Sequence, residues 1–162
     1  MSDILANDVK LHYERTFATL RGIAEAFPKD RWLEPHGDEY YIPSRIAYHL
    51  ASYIDRQMTD GYKDKDFDSK CPFGVWIKGD AGTLPDKDAY LAYYDEVIAR
   101  AREKLAALDD DALLAPAEPE RARLGASQLG LHLYMMREVC AHIGELNKML
   151  IEDGQDDVWI NR

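Results

Sequence analysis

The sequence predicts an all-α fold, a four-helix bundle in one domain. Three observations carry this expectation. Four long segments place apolar residues at steps of three and four, each with a polar opposite side. Strand-like alternation is almost absent. The 162 residues suffice for one domain with a sizeable core and are too few for two comfortable ones. Residues 1–162 therefore read as a single domain, whose four stripes are most simply buried against one another.

The first segment runs from about Asn7 to Ala26. Val9, Tyr13, Phe17, Leu20, Ala24 and Phe27 form its stripe, and Pro28 lies just past its end, where a proline halts a helix. His12, at the edge of the stripe, reads as half-buried on a helix flank with a structural role. A polar connection, PKDRWLEPHGDEYYIP, follows. His36 stands between Pro35 and Gly37, so a solvated turn is expected for it.

Pro43 and Ser44 look like a helix entry. The second helix is expected from about Ser44 to Thr59, with Ile46, His49, Leu50, Tyr53 and Gln57 on one face. From Gly61 to Pro85 periodicity disappears, apart from an apolar island of Phe73, Val75, Trp76 and Ile77. A connection of this length inside a compact domain is often functional. In a bundle, a long crossover also lets two helices run parallel. The island packs over one end of the bundle or forms a lid over a site there.

The third helix is expected from about Lys87 to Ala107, with Tyr90, Tyr94, Val97, Ala101, Lys104 and Leu105 at helical steps. Tyr90, Tyr93 and Tyr94 read as packing residues with tethered hydroxyls. After a mixed connection from Asp109 to Gly125, Ser127 is a plausible N-cap for a fourth helix reaching about Glu152, before Gly154. The tail, GQDDVWINR, leaves Trp159 needing a surface, either the chain's own core or a partner subunit.

Composition excludes several functions. Hydrophobic content of 46% and charged content of 31% are those of ordinary globular proteins. Thirty acids against twenty bases give a net charge of −10, which opposes nucleic-acid backbone binding and disfavours an anionic membrane surface. Apolar runs fall short of the ~20 residues that a spanning helix needs. The start, MSDILANDVK, lacks the basic and apolar pattern of a secretory signal. Cys71 and Cys140 form no disulfide framework, so a cytoplasmic location with reduced thiols is expected.

The residues with most chemical content lie in LHLYMMREVCAHIGELNKM, Leu131 to Met149. Met135, Glu138, His142, Leu146 and Met149 share one helix face. A carboxylate and an imidazole one turn apart are costly to bury without partners. Ligands one turn apart, completed from a facing helix, are how bundles build metal sites. His49 is the completing candidate, giving a metal set of His49, Glu138 and His142. Two imidazoles and one carboxylate leave positions open for water or substrate.

His132 lies ten residues before His142, about 80° around the helix and about 15 Å along it. It is therefore set outside the primary site with a structural role. Cys140 points nearly away from His142 and reads as a buried inert thiol. The competing account of Glu138 is a local salt bridge to Arg137. No Gly-rich phosphate loop, Ser nucleophile elbow or paired-Cys zinc knuckle is present.

The segments REVCAHIGEL and IPSRIAYHLASYID resemble the fourth-helix and second-helix signatures of the DinB/YfiT-like superfamily. The first helix ending near Pro28 and Trp32, and the long crossover, match as well. The resemblance implies an up-down-down-up four-helix bundle, a mononuclear site of three histidines, and kinship with thiol-dependent S-transferases and a maleylpyruvate isomerase. His49 and His142 match two of the family ligands. Glu138 occupies the place of the third, so the expected set departs from the family in one donor.

The leading expectation is thus a cytoplasmic metalloprotein binding one divalent ion, zinc or nickel. It would act as a thiol-dependent S-transferase, with a low-molecular-weight thiol as co-substrate and a small-molecule substrate. Tyr53 or a residue of the 61–85 crossover is the expected substrate contact. A homodimer is expected because family bundles often pair. The rival is a non-catalytic bundle, a binding or stress-associated scaffold protein with a lost metal site. In it, Glu138 and His142 would hydrogen-bond each other over a closed pocket.

Overall fold

The computed structural model describes residues 3–77 and 81–160. The chain is all-α, with six helices and no strand among the described residues. Four helices are long: α1 (Ile4–Ala26), α2 (Pro43–Met58), α4 (Lys87–Ala106) and α6 (Gln128–Glu152). Two are short, α3 (Phe67–Lys70) and α5 (Asp110–Leu114). The helix expected to begin at Ser44 begins at Pro43. Proline suits a first helical position because its missing N–H has no acceptor there.

Side-chain caps fix three of the later starts. Asp86 Oδ1 accepts from the Ala89 N–H at 2.8 Å and begins α4. Asp109 does the same for Ala112 at 2.7 Å and begins α5. Ser127 Oγ accepts from the Gly130 N–H at 3.2 Å, as its sequence position suggested. These oxygens satisfy amide donors that lack an intrahelical partner. Gly125 lets its loop lie on the first turn of α6, since a Cβ there would stand 2.4 Å from the Gly130 carbonyl carbon.

The apolar stripes meet in one continuous core. Helix α2 packs against α4 and α6, and α1 packs against the same two. Consequently α1 and α2, neighbours in sequence, are not major packing partners. Val9, Tyr13, Phe17, Leu20 and Ala24 of α1 are all buried. Tyr94 donates from its hydroxyl to the Phe17 carbonyl at 2.7 Å. Tyr90, also expected to be tethered, has a buried hydroxyl without a hydrogen-bond partner. Its ring stacks on Tyr94 and packs against Trp32, so ring burial holds it in place.

The connections are tied to the helix ends. Trp32 donates from Nε1 to the Pro85 carbonyl at 3.0 Å, and Ser44 Oγ donates to that same oxygen at 2.6 Å. The Ser44 N–H donates to the Trp32 carbonyl at 3.0 Å. His36, expected in a solvated turn, is instead enclosed, its side chain only 5% exposed. The turn folds against the end of α6 and brings its imidazole beside Glu152 and Asp153. Arg31 Nε donates to Asp153 at 2.8 Å. His12 also differs from expectation, lying exposed on the outer side of α1.

The 61–85 crossover is not featureless. It contains two single 3₁₀ turns, Gly61–Lys63 and Ala81–Thr83, besides α3; its residues 78–80 lie outside the described set. Phe73 contacts Tyr48 and Tyr93 edge-on, and Tyr48 donates to the Gly74 carbonyl at 2.8 Å. The tail runs back between α1 and α6. Asn147 exchanges two hydrogen bonds with the backbone of Val158, at 2.9 and 3.0 Å. Ile160 N donates to Thr19 Oγ1 at 3.1 Å. Trp159 lies beside Cys140 and Ile143 yet stays 57% exposed, so the chain's own core covers less than half of it.

A charged pair joins α2 to α4. Asp55 is buried and receives Arg100 through two nitrogens, at 3.0 and 2.9 Å. The Tyr93 hydroxyl lies 3.4 Å away. Removing Arg100 strands the carboxylate, whereas removing Asp55 frees a half-exposed guanidinium to be hydrated. Arg100→Ala should therefore destabilise the chain by about 2–3 kcal/mol, and the double variant Asp55→Asn/Arg100→Ala by less. Urea denaturation monitored by circular dichroism measures both; equal losses in the two variants would refute the asymmetry.

Candidate metal centre

His49 stands on α2 three residues after Ile46 and one before Leu50, both fully buried. That position turns its ring inward. Glu138 and His142 stand one turn apart on α6, between the buried Met135 and Leu146. Because α2 packs on α6, the three side chains converge. Their potential ligand atoms all lie within 4.8 Å of one another. The His49 and His142 rings meet edge-on, centroids 5.0 Å apart and planes at 90°. His142 Nε2 is 3.7 Å from Glu138 Oε1, longer than a hydrogen bond.

The other imidazole nitrogen is engaged. His142 Nδ1 lies 2.6 Å from Glu145 Oε2. An ionised carboxylate only accepts, so Nδ1 carries a hydrogen and Nε2 is the nitrogen left on the side of Glu138. This is the arrangement by which a carboxylate fixes a ligand histidine's tautomer and orientation. The i, i+3 spacing in HIGE was the signal for Glu145, readable once His142 was taken as a ligand.

His49 is mostly buried. Burial, and after it the neighbouring His142, bring its pKa down to about 4. It is therefore neutral near pH 7, as a ligating imidazole must be. Trp76 lies against its ring, centroids 4.0 Å apart and planes 30° apart. Tyr40 packs edge-on against Trp76 in turn. The apolar island of the crossover thus reaches the site and covers His49. Tyr53, one turn after His49, lies 6.1 Å away ring to ring. Burial, then Tyr134 and Glu138, raise its pKa, so its hydroxyl keeps its proton.

The charge balance invites a cation. Glu138 and Glu145 flank His142, and among the described residues no Lys or Arg lies within ion-pair distance of either carboxylate. Arg137, the competing partner of Glu138, turns instead over the Tyr134 ring, 4.9 Å from its centroid. A tetrahedral ion with bonds near 2.0–2.1 Å wants its donors roughly 3.4 Å apart. The donor types, the neutral His49 ring and two carboxylates without a Lys or Arg partner fit a divalent ion.

The remaining sequence candidates lie apart. Cys140, expected as a buried thiol, is exposed to solvent; its place on α6 points outward, away from His142. Partial burial still pushes its pKa up. His132 is held by Tyr13, whose hydroxyl lies 2.9 Å from Nδ1, which agrees with a structural role. No helix among the described residues is long and apolar enough to cross a membrane. Among protein-family models, curated proteins and solved structures, none matches this chain.

Burial, followed by Arg121 and Lys104, lowers the His132 pKa to about 4 from 6.5. The unfolded chain therefore binds more protons between these values, and stability falls as pH drops from about 6.5 toward 4. Acid-side stability curves from pH 7 to 4.5 should be shallower for His132→Gln than for the parent chain. Identical slopes would show that His132 contributes nothing to acid sensitivity.

Proposed function

We propose that the chain is a metalloprotein holding one divalent ion, zinc or nickel, through His49, Glu138 and His142. The convergence of these three donors within 4.8 Å carries the reading. The ring of pairwise contacts among α1, α4, α2 and α6 supports an up-down-down-up four-helix bundle. The proposed activity follows from the resemblance to DinB/YfiT-like proteins: a thiol-dependent S-transferase, cytoplasmic and homodimeric, using a low-molecular-weight thiol and a small electrophile.

An ion bound there supplies positive charge that favours the thiolate, the nucleophilic form of a thiol. The protein's own part is positional. Glu145 fixes the His142 ring, Trp76 walls off His49, and Tyr53 offers a protonated hydroxyl beside the donors. The rival reading, a scaffold with a closed Glu138–His142 hydrogen bond, has less support. Those groups are 3.7 Å apart, and His142 spends its hydrogen bond on Glu145.

Untagged protein should retain near-stoichiometric zinc or nickel by elemental analysis, and His49→Ala and His142→Ala should each abolish it. Protein that stays metal-free after incubation with both ions would overturn the assignment. Glu145→Ala keeps all three donors but frees the His142 ring, so metal affinity should fall about 10- to 100-fold, measured by competition with a chromogenic chelator. If metal is present, conjugation assays across common bacterial thiols test the transferase reading separately.

A further inference from the structure

A cavity of about 340 Å³ opens where the end of α2, the first 3₁₀ turn, α4 and the start of α6 come together. Its lining includes none of His49, Glu138 and His142. On α6 its histidine, His132, lies ten residues from His142, about 15 Å along the axis. In a chain with net charge −10, this cavity gathers three cations, Lys63, Lys104 and Arg121. Its acids number two, Asp60 and Glu118.

The acids are already engaged. Asp60 lies between Lys63 and Lys104, 3.5 and 3.7 Å away, and the Lys104 charge helps hold its carboxyl below the usual range against the effect of burial. Glu118 accepts from the Tyr62 hydroxyl at 3.0 Å and from Gln128 at 3.4 Å. Arg121 differs. One of its nitrogens donates to the neutral Gln57 Oε1 at 2.6 Å, and its guanidinium lies over the Tyr62 ring, its central carbon 4.0 Å from the centroid. Stacked and pinned in this way, it is oriented yet has no carboxylate within ion-pair distance among the described residues. A guanidinium has five N–H donors, and bonds to the Gln57 amide and the Tyr62 hydroxyl leave others available.

His132 adds a neutral donor. The buried Tyr13 hydroxyl keeps its proton, since burial and then Tyr53 raise its pKa. Its better acceptor is His132 Nδ1 at 2.9 Å; the alternative, the His132 carbonyl, is at 3.5 Å. Donation to Nδ1 leaves the hydrogen of the neutral imidazole on Nε2, and His132 lines the cavity. Met58, Leu108 and Met135 supply apolar wall.

We propose that this cavity is a second ligand site, independent of the metal centre, that binds a small organic anion. The ligand is a carboxylate or phosphate monoester on an apolar body, its charged end on Arg121 and His132 Nε2–H and its body against Met58, Leu108 and Met135. The planar, oriented guanidinium suits two-point recognition of either headgroup. The volume is that of a small-molecule pocket. The positive field of Arg121 and Lys104, which helps keep His132 neutral, favours an anion for the same reason.

Benzoate and phenyl phosphate, titrated into the full-length metal-free chain and followed by NMR, test the proposal. At least one should bind saturably, with shifts centred on the His132 ring and the Arg121 side chain, and the tighter of the two identifies the headgroup. Bound anion should raise the His132 pKa. Arg121→Gln should weaken binding at least about tenfold, and the exposed Lys104→Gln should weaken it less. His142→Ala should leave binding unchanged. No saturable binding of either probe overturns the proposal. So does affinity unaffected by Arg121→Gln, or binding lost in His142→Ala, which would place the anion at the metal centre.

Discussion

One carbonyl oxygen fixes the frame on which the candidate site is built. Pro85 O accepts from both Trp32 Nε1 and Ser44 Oγ, and all three residues are buried. Three separate stretches meet there: the loop after α1, the first turn of α2 and the approach to α4. A buried carbonyl left without donors is expensive, so these stretches cannot drift apart without a large cost. The start of α2 is thereby held against α4. His49, less than two turns further along α2, inherits that position, and so does the face it turns toward α6.

Helix α6 then presents two histidines in opposite electrostatic settings. His142 sits among carboxylates, with Glu145 on one nitrogen and Glu138 opposite the other. His132 sits under Arg121 and Lys104, with a phenol as its partner. One surrounding is rich in negative charge and the other in positive charge. The separation is enforced by helix geometry, since ten residues carry the second ring about 15 Å down the axis. Tyr53, one turn before Gln57 on α2, stands between the two regions and is sensitive to Glu138 on one side and Arg121 on the other.

Much of this was legible in the sequence where it depended on local periodicity. The stripes of α1 and α2 gave their inward faces, Ser127 marked the start of α6, and the shared face of Glu138 and His142 pointed to His49 as their complement. Positions fixed by distant chain were not legible. His36 looks like a turn residue because its neighbours are Pro35 and Gly37, and nothing local reveals that the turn docks on Asp153. Tyr90 resembles Tyr94, but only one of the two hydroxyls finds a carbonyl, which depends on the register of α1 against α4. Cys140 was read correctly as turned away from His142, but whether that side of α6 is covered depends on distant chain, and it is exposed. Trp76 was visible as part of an apolar island; its contact with His49 depends on how a 25-residue connection folds back.

The diagonal placement of α1 and α2 bears on how the chain reaches this structure. A helix that packed on its immediate successor could form a stable hairpin early. Here the long helices that α1 packs on are α4 and α6, and its long-range contacts include Tyr13 to His132 on α6 and Thr19 to Ile160 in the tail. Loop-closure entropy must be met before those contacts repay it. Of the four long helices α1 is made before its partners, so its apolar stripe is covered in stages, first by α4 and then by α6. Until those helices are in place, Tyr13, Phe17 and Leu20 lack the surfaces that bury them in the folded chain, the kind of transient apolar exposure that favours misassociation.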